Sequence, residues 1–261
     1  MFGAGQVGAT AAIELAAIER AAVRGWPALE TRRIDGWVAR SSSGGSVRAN
    51  TVSALDYVGT DLDASIEAVV SFYRQRGAVA RFTITEVDRP EGLDAALAER
   101  GWARQGDHVT MAKPIGSLAI PGRSSATTLT VVHHEAPTAD WMAVYLGGLT
   151  GGRREVAPRL VAGVPKPCTF VSCLRDGRVI ASGLSVLDGG LASVQCMATL
   201  PTARRLGAAR VILAAIEDWA GATGALRLYL QTDSDNAAAI SLYVSAGFSV
   251  AGRYHVRELP T

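Results

Sequence analysis

Six consecutive residues, Arg204-Arg205-Leu206-Gly207-Ala208-Ala209, open a stretch in which Ile212, Ala215, Ile216 and Trp219 recur at helical spacing. A helix start leaves its first N–H groups unpaired and carries about half a positive charge. Glycine there lets the backbone approach an anion with no Cβ in the way, and the small Ala209 serves the same end. Arg204 and Arg205 add charge beside the loop. Together these residue types describe a phosphate cradle; for the arginines alone, a solvated helix start is the bland alternative. Further on, Asn236 opens a second helical run that contains Tyr243 and stops at Gly247-Phe248. Asparagine at a helix start caps it or hydrogen-bonds a ligand amide. A tyrosine is protonated at neutral pH and serves as an acid toward a leaving group. The competing reading of Tyr243 is a half-buried core residue on an amphipathic helix.

The elements that must position these groups follow from pattern. Residues 191–198 read as a strand, and a loop through Pro201 leads to a helix over about 205–222 closed by Gly221 and Gly224. Leu226, Leu228 and Leu230 alternate in a second strand, residues 236–246 form the second helix, and residues 248–257 begin the closing strands. Upstream, residues 129–132 form a strand and two short helices fall between 138 and 160. Residues 168–174 and 179–187 pair as a hairpin around Asp176-Gly177. The Gly-, Ser- and Pro-rich segment 114–127 reads as a linker.

The first half repeats part of this plan. A helix over 64–74, Gly77, a strand over 79–85, a short helix over 93–100, Gly101-Trp102 and a strand over 109–112 shadow Gly224, Thr232 and Gly247-Phe248. Internal duplication explains the likeness, and a coincidence of two α/β units is the alternative. A helix over 10–24 precedes it, with Ile13, Ala17 and Ala21 as its apolar repeat and Glu14 and Arg24 to solvent. The glycine pattern Gly3-Ala4-Gly5-Gln6-Val7-Gly8 lacks a preceding strand, so a dinucleotide loop is not expected there.

The order of strand, Arg204-x-x-Gly207-x-Ala209, helix, strand, Asn236, helix with Leu242-Tyr243, then Gly247-Phe248 resembles the GNAT superfamily of N-acetyltransferases. The match covers residues 128–261. The resemblance implies an α/β (α+β) mixed-sheet acyl-CoA N-acyltransferase fold in tandem, with a degenerate first domain at 1–120 and a catalytic domain at 128–261. It implies acetyl-CoA as co-substrate, held by Arg204, Arg205, Leu206, Gly207, Ala208, Ala209 and Asn236. The pantetheine would pair along Met197, Ala198 and Thr199, the Met197 N–H would face the thioester oxygen, and Tyr243 would be the general acid. The position matching Tyr243 in the first half is Leu97, and no RxxGxA segment precedes the helix near Ala64, so chemistry is expected in the second half only. The expected acceptor is a primary amine of a small or amino-acid-like molecule. An aminoacyl- or longer-acyl transferase and a non-catalytic CoA-binding module stay open. No general base is assigned: Glu155, His133, His134 and Asp188 are candidates by type alone. The stretch Gly25-Trp26-Pro27, Gly36-Trp37 and Arg48-Ala49-Asn50 resembles the leading part of bacterial two-domain members, and would place Trp26, Trp37, Arg48 or Asn50 near substrate or else in a sheet core.

Composition bounds the rest. An apolar fraction of 48% and a net charge of +2 describe a globular chain without a large cationic field, so no nucleic-acid partner is expected. No apolar run is long enough to span a bilayer, and no secretory signal is visible, so no membrane association and a cytoplasmic setting are expected. Cys168, Cys173 and Cys196 form no CxxC pair and read as buried thiols, and no metal is expected. Nothing marks an exposed apolar face, which leaves a homodimer open but unindicated.

Overall fold

The computed structural model describes residues 9–116 and 129–260. The glycine pattern at residues 3–8 and most of the linker at 114–127 lie outside them. The first half runs α1 (Ala9–Gly25), β1 (Glu30–Ile34), β2 (Trp37–Ser41), β3 (Val52–Ser53), α2 (Leu62–Arg74), β4 (Arg81–Thr85), α3 (Leu93–Glu99) and β5 (Ala103–Pro114). The second runs β6 (Leu129–His134), α4 (Ala139–Gly147), α5 (Gly151–Ala162), β7 (Cys168–Arg175), β8 (Arg178–Asp188), β9 (Leu191–Ser193), β10 (Gln195–Thr199), α6 (Ala208–Ala222), β11 (Arg227–Asp233), α7 (Ala237–Ser245) and β12 (Ser249–Glu258).

All twelve strands share one mixed sheet, in the order β1-β2-β3-β4-β12-β5-β11-β9-β8-β7-β6, with β10 paired to β8. The pairs β3–β4 and β9–β11 are parallel and the others antiparallel. The halves interleave: β12, the last strand, lies between β4 and β5, and β5 lies between β12 and β11.

One offset relates the halves. A shift of 146 residues carries Leu62 onto Ala208, Arg81 onto Arg227 and Ala103 onto Ser249, the first residues of α2 and α6, β4 and β11, and β5 and β12. The central ladder obeys the same shift. His108 faces Tyr254, Asp107 faces His255 and Val109 faces Arg253, so these rungs map onto one another under a local twofold. The His108 and Tyr254 rings stack across that axis at 4.6 Å.

Two hairpins carry the same turn chemistry. Asp35-Gly36 joins β1 to β2 and Asp176-Gly177 joins β7 to β8, each with both residues at positive φ. The core is divided by the sheet. Ile212, Ile216, Leu228, Leu230, Tyr243 and Phe248 pack together under α6 and α7. Trp37, Phe72, Phe82 and Trp102 fill the first half. Trp26, Trp141, Phe170 and Leu184 pack beneath α4 and α5. On α1 the buried stripe is Leu15, Ile18, Ala21 and Ala22, whereas Ile13 is exposed. The expected repeat of Ile13, Ala17 and Ala21 was thus out of phase, because runs of alanine give the helical period little contrast.

A buried ion pair joins β5 of the first half to α6 of the second. Lys113 Nζ donates to Glu217 Oε1 at 2.7 Å and Oε2 at 2.8 Å, and Gly116 N donates to Oε1 at 3.0 Å. Removing one partner of such a pair leaves an uncompensated buried charge, at a cost of about 3–5 kcal/mol. Lys113→Met is therefore expected to lower the urea-unfolding free energy by about that amount. Pairing it with Glu217→Leu should recover most of the loss; a double variant no better than the single would refute this account.

Candidate functional site

The site forms where a strand leaves the sheet. Residues Leu191–Ser193 of β9 run parallel to Arg227–Tyr229 of β11, and Val194 N donates to Tyr229 O at 2.8 Å. Beyond that bond β10 pairs only with β8, through Gln195–Leu184, Ala198–Ser182 and Thr199–Ala181. A bulge lies between Gln195 and Ala198, with Cys196 at φ +51°. The expected single strand over 191–198 is therefore two, and the break is the feature that matters. Met197, Ala198 and Thr199 are half-exposed and offer β11 an edge without ladder bonds to it.

The chain then turns through Pro201–Ala203 to α6, which begins at Ala208, not near Arg205. Gly207 is its N-cap at φ +83°, a conformation in which an L side chain is strained, and an added Cβ would meet no atom within 4 Å. Arg205 also has positive φ, at +63°. Arg204 and Arg205 are exposed, Leu206 and Ala209 half-buried, and Ala208 sits in the core beside Ala203. The first-turn amides of α6 thus have no side-chain cap, and two exposed arginines and the edge of β10 precede the helix in the chain. Those donors and that edge fit the pyrophosphate and the amide-bearing arm of coenzyme A.

Close packing sets this geometry. A Cβ on Gly183 of β8 would stand 2.4 Å from Ile212 Cγ2 and 3.1 Å from Met197 Sδ, so glycine lets α6 lie down on the sheet. The corresponding helix of the first half differs at its cap. Asp61, 146 residues before Gly207, accepts from Ala64 N at 3.0 Å, so a carboxylate already occupies the first-turn amides of α2.

Asn236 caps α7, its Oδ1 accepting from Ala239 N at 3.2 Å. Tyr243 is buried in the cluster that holds Ala203, Ala208 and Ile212, and meets Phe248 edge-on at 5.8 Å. Its hydroxyl makes no hydrogen bond to another described residue, and burial pushes its pKa to about 12. It therefore holds its proton at neutral pH. The base candidates named by type lie elsewhere. His133 Nδ1 bonds Thr169 Oγ1 at 3.0 Å, His134 Nε2 bonds Ser172 Oγ at 3.1 Å, and Asp188 pairs with Arg24. Glu155 is exposed on α5.

Sequence reasoning missed a buried polar chamber on the opposite, α1 face of the sheet. Glu19, Arg40, Arg48, Asp88, Gln231 and Tyr254 line it. Glu19 Oε1 accepts from Thr110 Oγ1 at 2.6 Å and Oε2 from Gln231 Nε2 at 2.9 Å. Burial nevertheless raises its pKa to about 6. Burial lifts Asp88 to about 7, against hydrogen bonds from Thr85 N and Oγ1. Gln231 lies two residues past Tyr229, on the part of β11 that faces the gap. On the other side, Gln195 Nε2 donates to Gly25 O at 3.2 Å, tying the start of β10 to the end of α1. The signal available in the sequence was an acid inside an apolar stripe: Leu15, Ile18, Glu19 and Ala22 share one helix face. Of the aromatics expected near substrate or in a core, Trp26 and Trp37 are buried, and Asn50 holds its own loop through Ser42 N, Gly44 O and Ser46 O. Arg48 faces the chamber.

Among the described residues no helix is long and apolar enough to cross a membrane, and no cluster of His, Cys, Asp or Glu could hold a metal ion. The three cysteines are free, with Cys173 buried and Cys168 and Cys196 half-buried.

Comparison with known proteins gives the same picture. Residues 10–257 match the family described as "Probable histone acetyltransferase Rv0428c C-terminal". The chain is 29% identical over 248 residues to the uncharacterized N-acetyltransferase YobR of Bacillus subtilis (strain 168), covering 92% of this chain and 96% of that protein. A GCN5-related N-acetyltransferase from Kribbella flavida superposes with a TM-score of 0.70 at 17% identity, over 99% of this chain and 97% of that one. A tandem GNAT protein from the clavulanic acid biosynthesis pathway superposes with a TM-score of 0.63 at 13% identity, over 81% and 76%. The mixed sheet is thus that of the GNAT acyltransferases.

The raised pKa of Glu19 has a sign that can be tested. The folded state holds this proton more tightly than the unfolded chain. Its stabilising contribution is complete below pH 4.5 and is lost as pH rises through about 6. Glu19→Gln removes that dependence. The stability difference between variant and parent should shift in the variant's favour by about 2 kcal/mol between pH 4.5 and 7, read from denaturant midpoints. A pH-independent difference would mean that Glu19 titrates normally.

Proposed function

Because the chain belongs to the family of the probable histone acetyltransferase Rv0428c C-terminal region, within the GNAT N-acetyltransferases, we propose that it moves the acetyl group of acetyl-CoA to a primary amine of a small or amino-acid-like acceptor. The observation that carries this reading is the parting of β10 from β11 directly before a helix that begins at Gly207. Arg204, Arg205 and the amides of Leu206 to Ala209 hold the phosphates, the edge at Met197, Ala198 and Thr199 holds the pantetheine arm, and Asn236 closes the far side. Acetyl-CoA supplies an acyl group activated as a thioester.

The remaining work falls to this chain. The Met197 N–H, at the bulge, meets the charge that develops on the thioester oxygen. Tyr243 protonates the departing sulfur from its otherwise unengaged hydroxyl. The amine approaches from the α1 face. We read residues 1–120 and 128–261 as two copies of one unit, a division that the constant 146-residue offset supports. In the first copy the Asp61 cap and Leu97 replace the phosphate site and the acid.

Titration calorimetry of the native chain with acetyl-CoA should give micromolar binding, and Gly207→Asp should abolish it while circular dichroism shows the fold intact. Tyr243→Phe should retain binding and lose about 10²–10⁴-fold in kcat, the usual span for a positioned acid. Unchanged turnover in that variant would remove Tyr243 from the mechanism.

A further inference from the structure

The chamber on the α1 face brings two arginines, Arg40 and Arg48, beside two acids, Glu19 and Asp88, with no ion pair between them among the described residues. Arg40 is buried, and its Nη1 reaches the carbonyls of Val23 and Trp26 at 3.4 Å each. Those long bonds cap the end of α1 and involve no carboxylate. Its buried Nε has no partner at all. Arg48 lies over the Trp26 ring at 5.4 Å and makes no hydrogen bond or ion pair to another described residue.

The neighbouring acids do not satisfy these arginines. Both oxygens of Glu19 are bonded by Thr110 and Gln231, and both oxygens of Asp88 by Thr85. No ion pair joins either acid to Arg40 or Arg48 among the described residues. The chamber itself encloses about 30 Å³, but Arg40, Val23 and Ser53 also line a neighbouring cleft of about 340 Å³ between α1 and the β2–β3 strands. There Arg20 is paired with Asp56 and Arg24 with Asp188, while Arg33 has no ion-pair partner. The cleft has the size of a small-molecule site.

A buried guanidinium with an orphaned N–H is costly unless something completes its hydrogen bonds. The planar fork of arginine matches carboxylate and phosphate oxygens. Gln231 of the chamber lies on β11 two residues past Tyr229, where the pairing of β11 with β9 ends and β10 parts from it. We infer that the acceptor amine carries an anionic group, a carboxylate or a phosphate, and that Arg40 and Arg48 bind it while the amine points toward Met197. This rests on the transferase reading above and goes beyond it by naming the class of acceptor.

The experiment compares matched amines by thiol release from acetyl-CoA: amino acids against their amides, amino phosphates against amino alcohols, and simple diamines. The acid member of each pair is expected to have a kcat/KM about tenfold or more higher, the value of one charge-assisted hydrogen bond. This would hold although the amide's amine is the easier to deprotonate. Whether carboxylates or phosphates lead identifies the anion. Arg48→Gln should erase the preference mainly through KM, and Arg40→Gln should do so wherever it folds. Equal use of the neutral partners, or preference for diamines, would overturn the inference. In parallel, thermal unfolding of the native chain and of Arg48→Gln is followed with added glycinate and inorganic phosphate. An anion-dependent rise in Tm confined to the native chain supports the site even if no amine is acetylated, an outcome that would instead defeat the transferase reading. An equal response in both proteins counts against the site.

Discussion

The whole molecule depends on the pairing of β5 with β12. Each strand comes from one half and is inserted beside the other half's last parallel-phase strand, so neither sheet is complete without its partner. At the centre of that ladder His108 and Tyr254, related by the 146-residue shift, stack on one another. Interleaving of this kind fixes the halves by backbone hydrogen bonds, to which side-chain packing such as that of Trp26 with Trp141 and Phe170 adds. Lys113 and Glu217 then fasten β5 to α6 with a buried ion pair. The helix that carries this ion pair, α6, also carries the Gly207 cap at its start.

Within that frame the site lies at a departure from the ladder. After Val194 the ladder to β11 stops, the bulge at Cys196 turns the strand, and β10 follows β8 alone. Free strand edges are normally avoided because they invite pairing. Here the edge is short, flanked by a positive-φ glycine and two arginines, and suited to a ligand with amide groups of its own. The first half lacks this combination. Asp61 puts a carboxylate on the amides of α2, and Leu97, fully buried, stands where Tyr243 stands in the second half. Two helices with the same start under one offset thus differ in chemistry by their caps.

Much of this was readable in the chain. Backbone-driven features have residue signatures: glycine at a left-handed helix cap, Asp-Gly in a tight hairpin, Asn at the start of α7. The turn at Asp35-Gly36 carried the same signature as Asp176-Gly177, yet β1 and β2 went unassigned because β1 is largely exposed and polar and gives no alternation. The phase of α1 was missed because its alanines blur the period. The break between β9 and β10 leaves no mark in composition, since a bulge is set by what each strand pairs with. The interleaving of β5 and β12 was likewise invisible, because register between distant strands is a property of the assembled sheet.

The acceptor side was the least legible, for a physical reason. Glu19, Arg40, Arg48, Asp88, Gln231 and Tyr254 come from α1, β2, the loop before β3, the turn after β4, β11 and β12, and of these only Arg48 lies in a stretch that the sequence marks. In sequence, Glu19, Arg40 and Asp88 look like ordinary surface charges, which is what most such residues are. Only the folded chain shows that they are enclosed together and that the acids are bonded to neutral donors while the arginines lack carboxylates. Burial then acts oppositely on the two kinds of group. It moves Glu19 and Asp88 toward the neutral form near physiological pH, whereas Arg40, lowered to about 10, keeps its charge. The proposed donor site rests on backbone and is written in glycine and cap residues; the proposed acceptor site rests on arginines without carboxylate partners and arises only when distant elements are brought together.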